Sequence, residues 1–157
     1  MPDILRLQDT DPYFPEEVAQ EPGCDHLRRC FSCGLCTATC PVSQLEPGFS
    51  PSLILRQIFH GLRQQLLSSP ALWYCALCAR CSFQCPQDVR FLDIIQGLRN
   101  LAVRNGYITS ERLLLLSQAE LLLQDLRRRL IGEILTGPDD LDLQATLRRL
   151  TEQQDHK

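Results

Sequence analysis

Residues 30–41 run Cys30-Phe31-Ser32-Cys33-Gly34-Leu35-Cys36-Thr37-Ala38-Thr39-Cys40-Pro41. Forty-five residues later the same skeleton returns as Cys75, Cys78, Cys81, Cys85 and Pro86, with identical spacing. A pattern of the form C-x2-C-x2-C-x3-C-P, written twice, is an internal repeat, and any reading of the chain has to account for both copies.

Outward from these runs the pattern is helical. Between them, Ser50-Pro51 reads as an N-cap followed by proline at the first helical position. Leu55, Ile58, Phe59, Leu62 and Leu66 then form one apolar stripe at helical spacing, and Pro70 closes that region. After the second run Asp88 is placed to cap a helix whose inner face is Leu92, Ile95, Leu98 and Ala102, with Asn105-Gly106 as its stop. From Ser110 a Leu-rich helix extends to about Leu135 and ends at Gly137-Pro138. It is apolar over more than one face, through Leu113 to Leu116 and Leu121 to Leu123, which suits packing on the rest of the chain or docking of another subunit. A short helix near Asp140 to Glu152 carries Leu143, Leu147 and Leu150. No stretch alternates as a strand would, so the fold class is all-α. The expected division is an extended, acidic, Pro-rich arm over 1–24, a cysteine-bearing domain over 25–106 and a C-terminal helical extension over 107–157.

The chemistry follows from the spacing. Three thiolates at i, i+3 and i+6 on a tight loop can wrap one inorganic cube. The fourth, held away by the proline and helix that follow, does not easily reach the same cube, and in two-cluster ferredoxins it ligates the other one. Applied here, cluster I takes Cys30, Cys33, Cys36 and Cys85, and cluster II takes Cys75, Cys78, Cys81 and Cys40. Each cluster would then tie the two halves together. Zinc sites more often draw two separated cysteine pairs per ion. A disulfide framework conflicts with the reducing compartment expected of a chain whose start, Met1-Pro2-Asp3-Ile4-Leu5, lacks the basic and apolar segments of a secretory signal. Two [4Fe-4S] clusters with all corners ligated by cysteine leave no open iron for a substrate, and no G-x-G-x-x-G fingerprint for a flavin or nicotinamide cofactor is present. The pattern therefore reads as an electron relay, not as an enzyme acting alone.

The remaining composition narrows the classes further. A formal charge of −3 excludes a broadly basic nucleic-acid-binding surface. The richest apolar stretch, Leu113 to Leu123, is interrupted by Gln118 and Glu120 and falls short of the ~20 apolar residues of a membrane span. The expected location is cytoplasmic. Cys24, the ninth cysteine, reads as a partly buried free thiol, and His26, His60 and His156 as surface or helix-face residues. Arg80 lies between Cys78 and Cys81 where the first run has Leu35, and a cation directed inward there would favour the more negative, reduced state of cluster II. Arg28, Arg29, Arg56, Arg63, Arg90 and Arg99 flank the runs as further sources of positive charge.

The stretch Arg29 to Val42 resembles the C subunit of heterodisulfide reductases, as does Trp73-Tyr74-Cys75-Ala76-Leu77-Cys78-Ala79-Arg80-Cys81 with Cys85-Pro86 after it. The resemblance covers about residues 26 to 106 and implies an α-helical ferredoxin fold, unlike small bacterial ferredoxins whose runs are closer and joined by short strands. Related modules occur in the iron–sulfur subunits of succinate dehydrogenase, fumarate reductase, glycerol-3-phosphate dehydrogenase and glycolate oxidase, which stand as alternatives. The family implies a role in a hetero-oligomer: passing electrons between the A subunit, which contains flavin, and the B subunit, which is disulfide-active. Paired cysteines, which mark the B subunit, do not occur here, and only Cys24 precedes the first run. A cluster-stabilised interaction module without redox traffic is the alternative of different class.

Overall fold

The computed structural model describes residues 10–152, and every regular element among them is helical. The chain divides between Ile108 and Thr109 into two compact units.

The first unit begins with α1, Phe14–Ala19. Phe14, Val18, Cys24 and Leu27 are all fully buried. The extended arm expected over 1–24 is therefore corrected for its described part: from Phe14 onward it is built into the core, while residues 1–9 lie outside the described residues. Charge pairing makes this acidic segment compatible with burial. Arg63 grips the Glu17 carboxylate with both Nε (2.7 Å) and Nη2 (3.0 Å), and Arg104 holds the buried Glu21. The Glu17 carboxyl is accordingly held below its usual range, chiefly by the hydrogen bond from Arg63.

After a 3-10 turn at Leu27–Arg29 come α2 (Leu35–Ala38), α3 (Pro41–Leu45) and α4 (Pro51–Phe59). Ser50 caps α4 as expected, its Oγ accepting the Leu53 N–H at 3.2 Å. The apolar stripe expected as one helix is split. Gly61 adopts φ 68°, and α5 starts afresh at Arg63–Leu67. Leu55, Ile58, Leu62 and Leu66 stay buried, whereas Phe59 turns outward. The break has a packing cause: the Asp11 N–H donates to the Gly61 carbonyl at 2.7 Å, and a Cβ on Gly61 would fall on the Asp11 carbonyl.

The short helices α6 (Ala71–Tyr74) and α7 (Arg80–Phe83) precede α8, Phe91–Arg104, the centre of this unit. On α8, Phe91, Ile94, Ile95, Leu98, Leu101 and Ala102 are buried, and α1, α5, α6 and α7 all pack on it. Leu92, expected on the inner face, is half-buried. The helix ends as the Asn105-Gly106 pair foretold. Gly106 takes φ 73°, its N–H bonds Val103 O at 3.1 Å, and the Tyr107 N–H reaches back to Ala102 O at 2.9 Å, the two bonds of a Schellman motif.

The second unit is a hairpin of α9 (Ser110–Thr136) and α10 (Leu143–Glu152). Helix α10 starts three residues later than the expected Asp140, because Asp142 is its cap: Oδ1 accepts the N–H groups of Gln144 (2.9 Å) and Ala145 (3.2 Å). Thr146 and Leu150 of α10 are buried, while none of the 27 residues of α9 is. No helix among the described residues is long and apolar enough to cross a membrane.

Candidate metal centre

The sequence repeat is also a repeat of backbone geometry. Leu27 and Leu72, 45 residues apart, are both fully buried and anchor the turns that lead into the runs. Cys30 (φ −69°, ψ 121°) and Cys75 (φ −62°, ψ 120°) leave those turns in the same extended conformation. Left-handed residues follow at matching places: Ser32 and Leu77 (φ 59° and 51°), then Gly34 and Ala79 (φ 78° and 61°). Two such residues in succession bend each loop sharply around its cysteines before α2 or α7 begins. Leu77 and Ala79 hold this conformation without being glycine, at roughly 1–2 kcal/mol each, a strain that the packing around the loop must over-determine.

The residue after the third cysteine anchors the helix beyond. Thr37 Oγ1 accepts the Ser52 N–H at 2.9 Å, at the second position of α4. Ser82 Oγ accepts the Leu92 N–H at 3.1 Å, at the second position of α8. Each cysteine loop is thus pinned to the N-terminus of a long helix by a hydroxyl at the same register. This replaces the expected Asp88 cap. Asp88 sits at φ 50° with its carboxylate engaged by Arg90 and His26, and Arg90, also left-handed, occupies the N-cap position.

Two hollows lie between the loops. One, open to solvent, is lined by Cys30, Cys33, Cys36, Cys81 and Cys85, closed by Leu55, Val89 and Phe91. The other is lined by Cys40, Cys75, Cys78 and Cys81, with Phe49, Pro51 and Arg80. Each draws a cysteine from the opposite run: Cys85 reaches the first hollow and Cys40 the second. Cys81 borders both. All nine thiols are free. A single zinc ion needs thiolates about 2.3 Å from one point, and among the described residues no three His, Cys, Asp or Glu side chains converge so. The thiols instead stand around hollows, as the donor set of a larger polynuclear group with a sulfur at each corner would.

Backbone donors are aimed at the sulfurs. The Ser32 N–H lies 3.4 Å from Cys30 Sγ, and the Val89 N–H 3.4 Å from Cys85 Sγ. Burial pushes the Cys36 and Cys75 thiols up, and Cys81 to about 11, while backbone N–H groups of Thr37, Leu77 and Ser82 oppose that rise at the three sulfurs respectively. Loops that present N–H groups to sulfur are prepared for thiolate, and metal binding supplies the charge that burial alone disfavours.

Cys24 is more deeply placed than expected, fully buried against Gly97 of α8. Burial first, then Asp93, Glu21 and Asp25, push its thiol up to about 12, and Cys24 is not among the residues that line either hollow. His60 is exposed, and His156 lies outside the described residues. His26 is not a surface residue: Nδ1 sits 2.8 Å from Asp88 O and 3.0 Å from its Oδ2, Nε2 sits 3.4 Å from Asp25, and the ring is 13% exposed. It fixes the segment before the first run to the loop after Cys85, a tertiary contact over 62 residues that no local pattern signals. Arg28, Arg63 and Arg90 pair with Glu16, Glu17 and Asp88. Arg80 lines the second hollow and is exposed.

Comparison with known proteins places these residues in a lineage. A family model described as a 4Fe-4S dicluster domain matches residues 26–89. The C subunit of the H(2):CoB-CoM heterodisulfide,ferredoxin reductase of Methanothermobacter thermautotrophicus is 35% identical over 105 residues, covering 67% of this chain and 56% of that protein. The iron-sulfur C subunit of the CoB--CoM heterodisulfide reductase of Methanopyrus kandleri is 33% identical over 112 residues, covering 67% and 58%. A protein of Archaeoglobus profundus, named as similar to the C subunit of heterodisulfide reductase, is 31% identical over 94 residues, covering 60% and 50%. The chain thus spans between half and three-fifths of the length of these relatives.

Proposed function

We propose that this chain, which belongs through its 4Fe-4S dicluster domain to the family of heterodisulfide reductase C subunits, is the electron-relaying iron–sulfur subunit of a complex of that type. The observation that carries the reading is the pair of hollows, each with a cysteine contributed from the opposite run. That arrangement supports Cys30, Cys33, Cys36 and Cys85 as the holders of one [4Fe-4S] cluster, and Cys75, Cys78, Cys81 and Cys40 as the holders of the other. Bound there, a [4Fe-4S] cluster supplies reversible one-electron chemistry.

The chain's own residues give that chemistry a fixed place. Thr37 and Ser82 lock the loops to α4 and α8. Ser32 and Val89 hold sulfurs through their N–H groups, and Phe49, Leu55, Val89 and Phe91 limit water around the hollows. With eight cysteines allotted to eight corners, no ligand position is left for a substrate, so turnover belongs to partner subunits. In this reading electrons pass between flavin-containing and disulfide-active subunits of a soluble, cytoplasmic hetero-oligomer, and the chain alone is not an enzyme. Iron and sulfide analysis of the anaerobically prepared chain tests the core of the proposal. About eight of each per chain are expected; about four would overturn the two-cluster assignment. Exchange of electrons with an isolated flavin-containing partner tests the relay, and its absence would favour an interaction module.

A further inference from the structure

The two halves of the site match in backbone but not in charge. Arg99, on the third turn of α8, donates from Nε to Leu72 O at 2.8 Å and from Nη2 to Cys75 O at 3.0 Å. Its guanidinium lies 5.3 Å from the Trp73 ring centroid, within range of a cation–π contact. Three successive features of the turn that leads into the second run (the Leu72 carbonyl, the Trp73 ring and the Cys75 carbonyl) therefore converge on one half-buried cation. Among the described residues no guanidinium donates to the Leu27 or Cys30 carbonyl, the matching positions of the first run. Counted from the first residue of each anchored helix, the position of Arg99 in α8 corresponds to Phe59 in α4, an apolar side chain turned outward. Nearby arginines do not substitute for it. Arg63 and Arg90 are engaged by carboxylates, and Arg80 is exposed, where water screens its charge.

We propose that Arg99 is the fixed cation of the second cysteine set: it positions the Cys75 turn and favours the reduced, more negative state of the group held by Cys75, Cys78, Cys81 and Cys40. Reduced by one electron from a donor that is thereby oxidised, that group would be more negative, and the guanidinium fixed at the Cys75 carbonyl would offset the added charge. No bond is made or broken. A guanidinium is suited to this role because it stays charged at every physiological pH and its planar fork satisfies two carbonyls at once. The consequence is electrical asymmetry in a structurally duplicated site, with only one of the two clusters tuned by this cation.

The inference rests on the two-cluster reading above, and the two can fail separately. Wild-type chain with about four irons would sink the reading itself. Given wild type with both clusters, EPR-monitored redox titration is compared with Arg99→Gln, which keeps hydrogen-bond donors but no charge, and Arg99→Lys, which keeps the charge. The Gln variant is expected to lower one of the two potentials, the one whose signal Cys78→Ser alters, and to leave the other in place; the Lys variant stays near wild type. Unchanged potentials in Arg99→Gln, or equal shifts of both clusters, would overturn the proposal. If Arg99→Gln does not retain its iron, Gln96→Glu gives the reading from an exposed position one turn earlier on α8, by placing a carboxylate beside the guanidinium. The same selective fall is expected there, and its absence would count against the role assigned to Arg99.

Discussion

Ala79 holds φ 61° where Gly34, 45 residues earlier in the repeat, holds φ 78°. The two loops need the same left-handed turn, and only one uses the residue that adopts it freely. Ala79→Gly should therefore stabilise the protein by about 1 kcal/mol, and Gly34→Ala should destabilise it by a similar amount. A Cβ on Gly34 meets nothing within 4 Å, so the second change isolates backbone strain from packing. Urea midpoints of the two variants, moving in opposite directions, are the check.

The hydroxyls of Thr37 and Ser82 accept the N–H at the second position of α4 and α8, beside the Ser50 cap on α4 and with no other side-chain cap on α8. Thr37→Val, close to isosteric, and Ser82→Ala should each cost about 1 kcal/mol, as loss of a helix cap does. Because each hydroxyl follows a cysteine, iron should also leave these variants faster in a chelator challenge. Loss of stability with unchanged iron release would show that the caps serve the helices alone.

Cys24 predicts a pH effect of definite sign. Its thiol sits at about 12 in the folded chain against an ordinary value of 9.0, because of burial first and nearby carboxylates second. The unfolded chain therefore gives up this proton earlier as pH rises. The stabilisation is complete below about pH 9 and is lost progressively towards 12, at no more than about 1.4 kcal/mol per pH unit for one proton. The loaded wild type should lose urea resistance over that window, and Cys24→Ala should flatten the curve. Alkylation of Cys24 at pH 8 should await unfolding.

The crossed allotment of ligands can be separated from an uncrossed one. Cys85→Ala and Cys33→Ala should perturb the same EPR signal, although they lie in different runs, and Cys40→Ala should pair with Cys78→Ala. Pairing within runs instead would show that each run holds its own cluster.

Much of the fold was legible because its signals are local. The two cysteine runs, the Ser50-Pro51 start of α4, the Asn105-Gly106 stop of α8 and the extent of α9 each depend on a few neighbouring residues, and each appears where spacing and capping place it. What escaped depends on contacts distant in sequence. Phe14 and Val18 sit among acids and prolines that read as an arm, until Arg63 and Arg104 neutralise Glu17 and Glu21. The stripe from Leu55 to Leu66 looks continuous, because nothing nearby reveals that Asp11 will cross at Gly61. Asp88 looks like a cap until His26, 62 residues away, takes it. Arg99 was visible as one of several flanking arginines. Its distinction lies in the two carbonyls and the ring that it meets in space.

The bareness of α9 bears on how the molecule behaves in isolation. Leu114, Leu115, Leu121, Leu122, Leu123 and Leu135 are each more than half exposed, on a helix none of whose residues is buried. Apolar surface on that scale is uncommon on a protein that lives by itself. Kept alone at high concentration, the chain should cluster through this helix, even with every cysteine correctly filled. A light-scattering comparison of the intact chain with one carrying Leu115→Glu and Leu122→Glu would separate stickiness of the hairpin from damage at the metal centre, two faults that look alike in a brown precipitate.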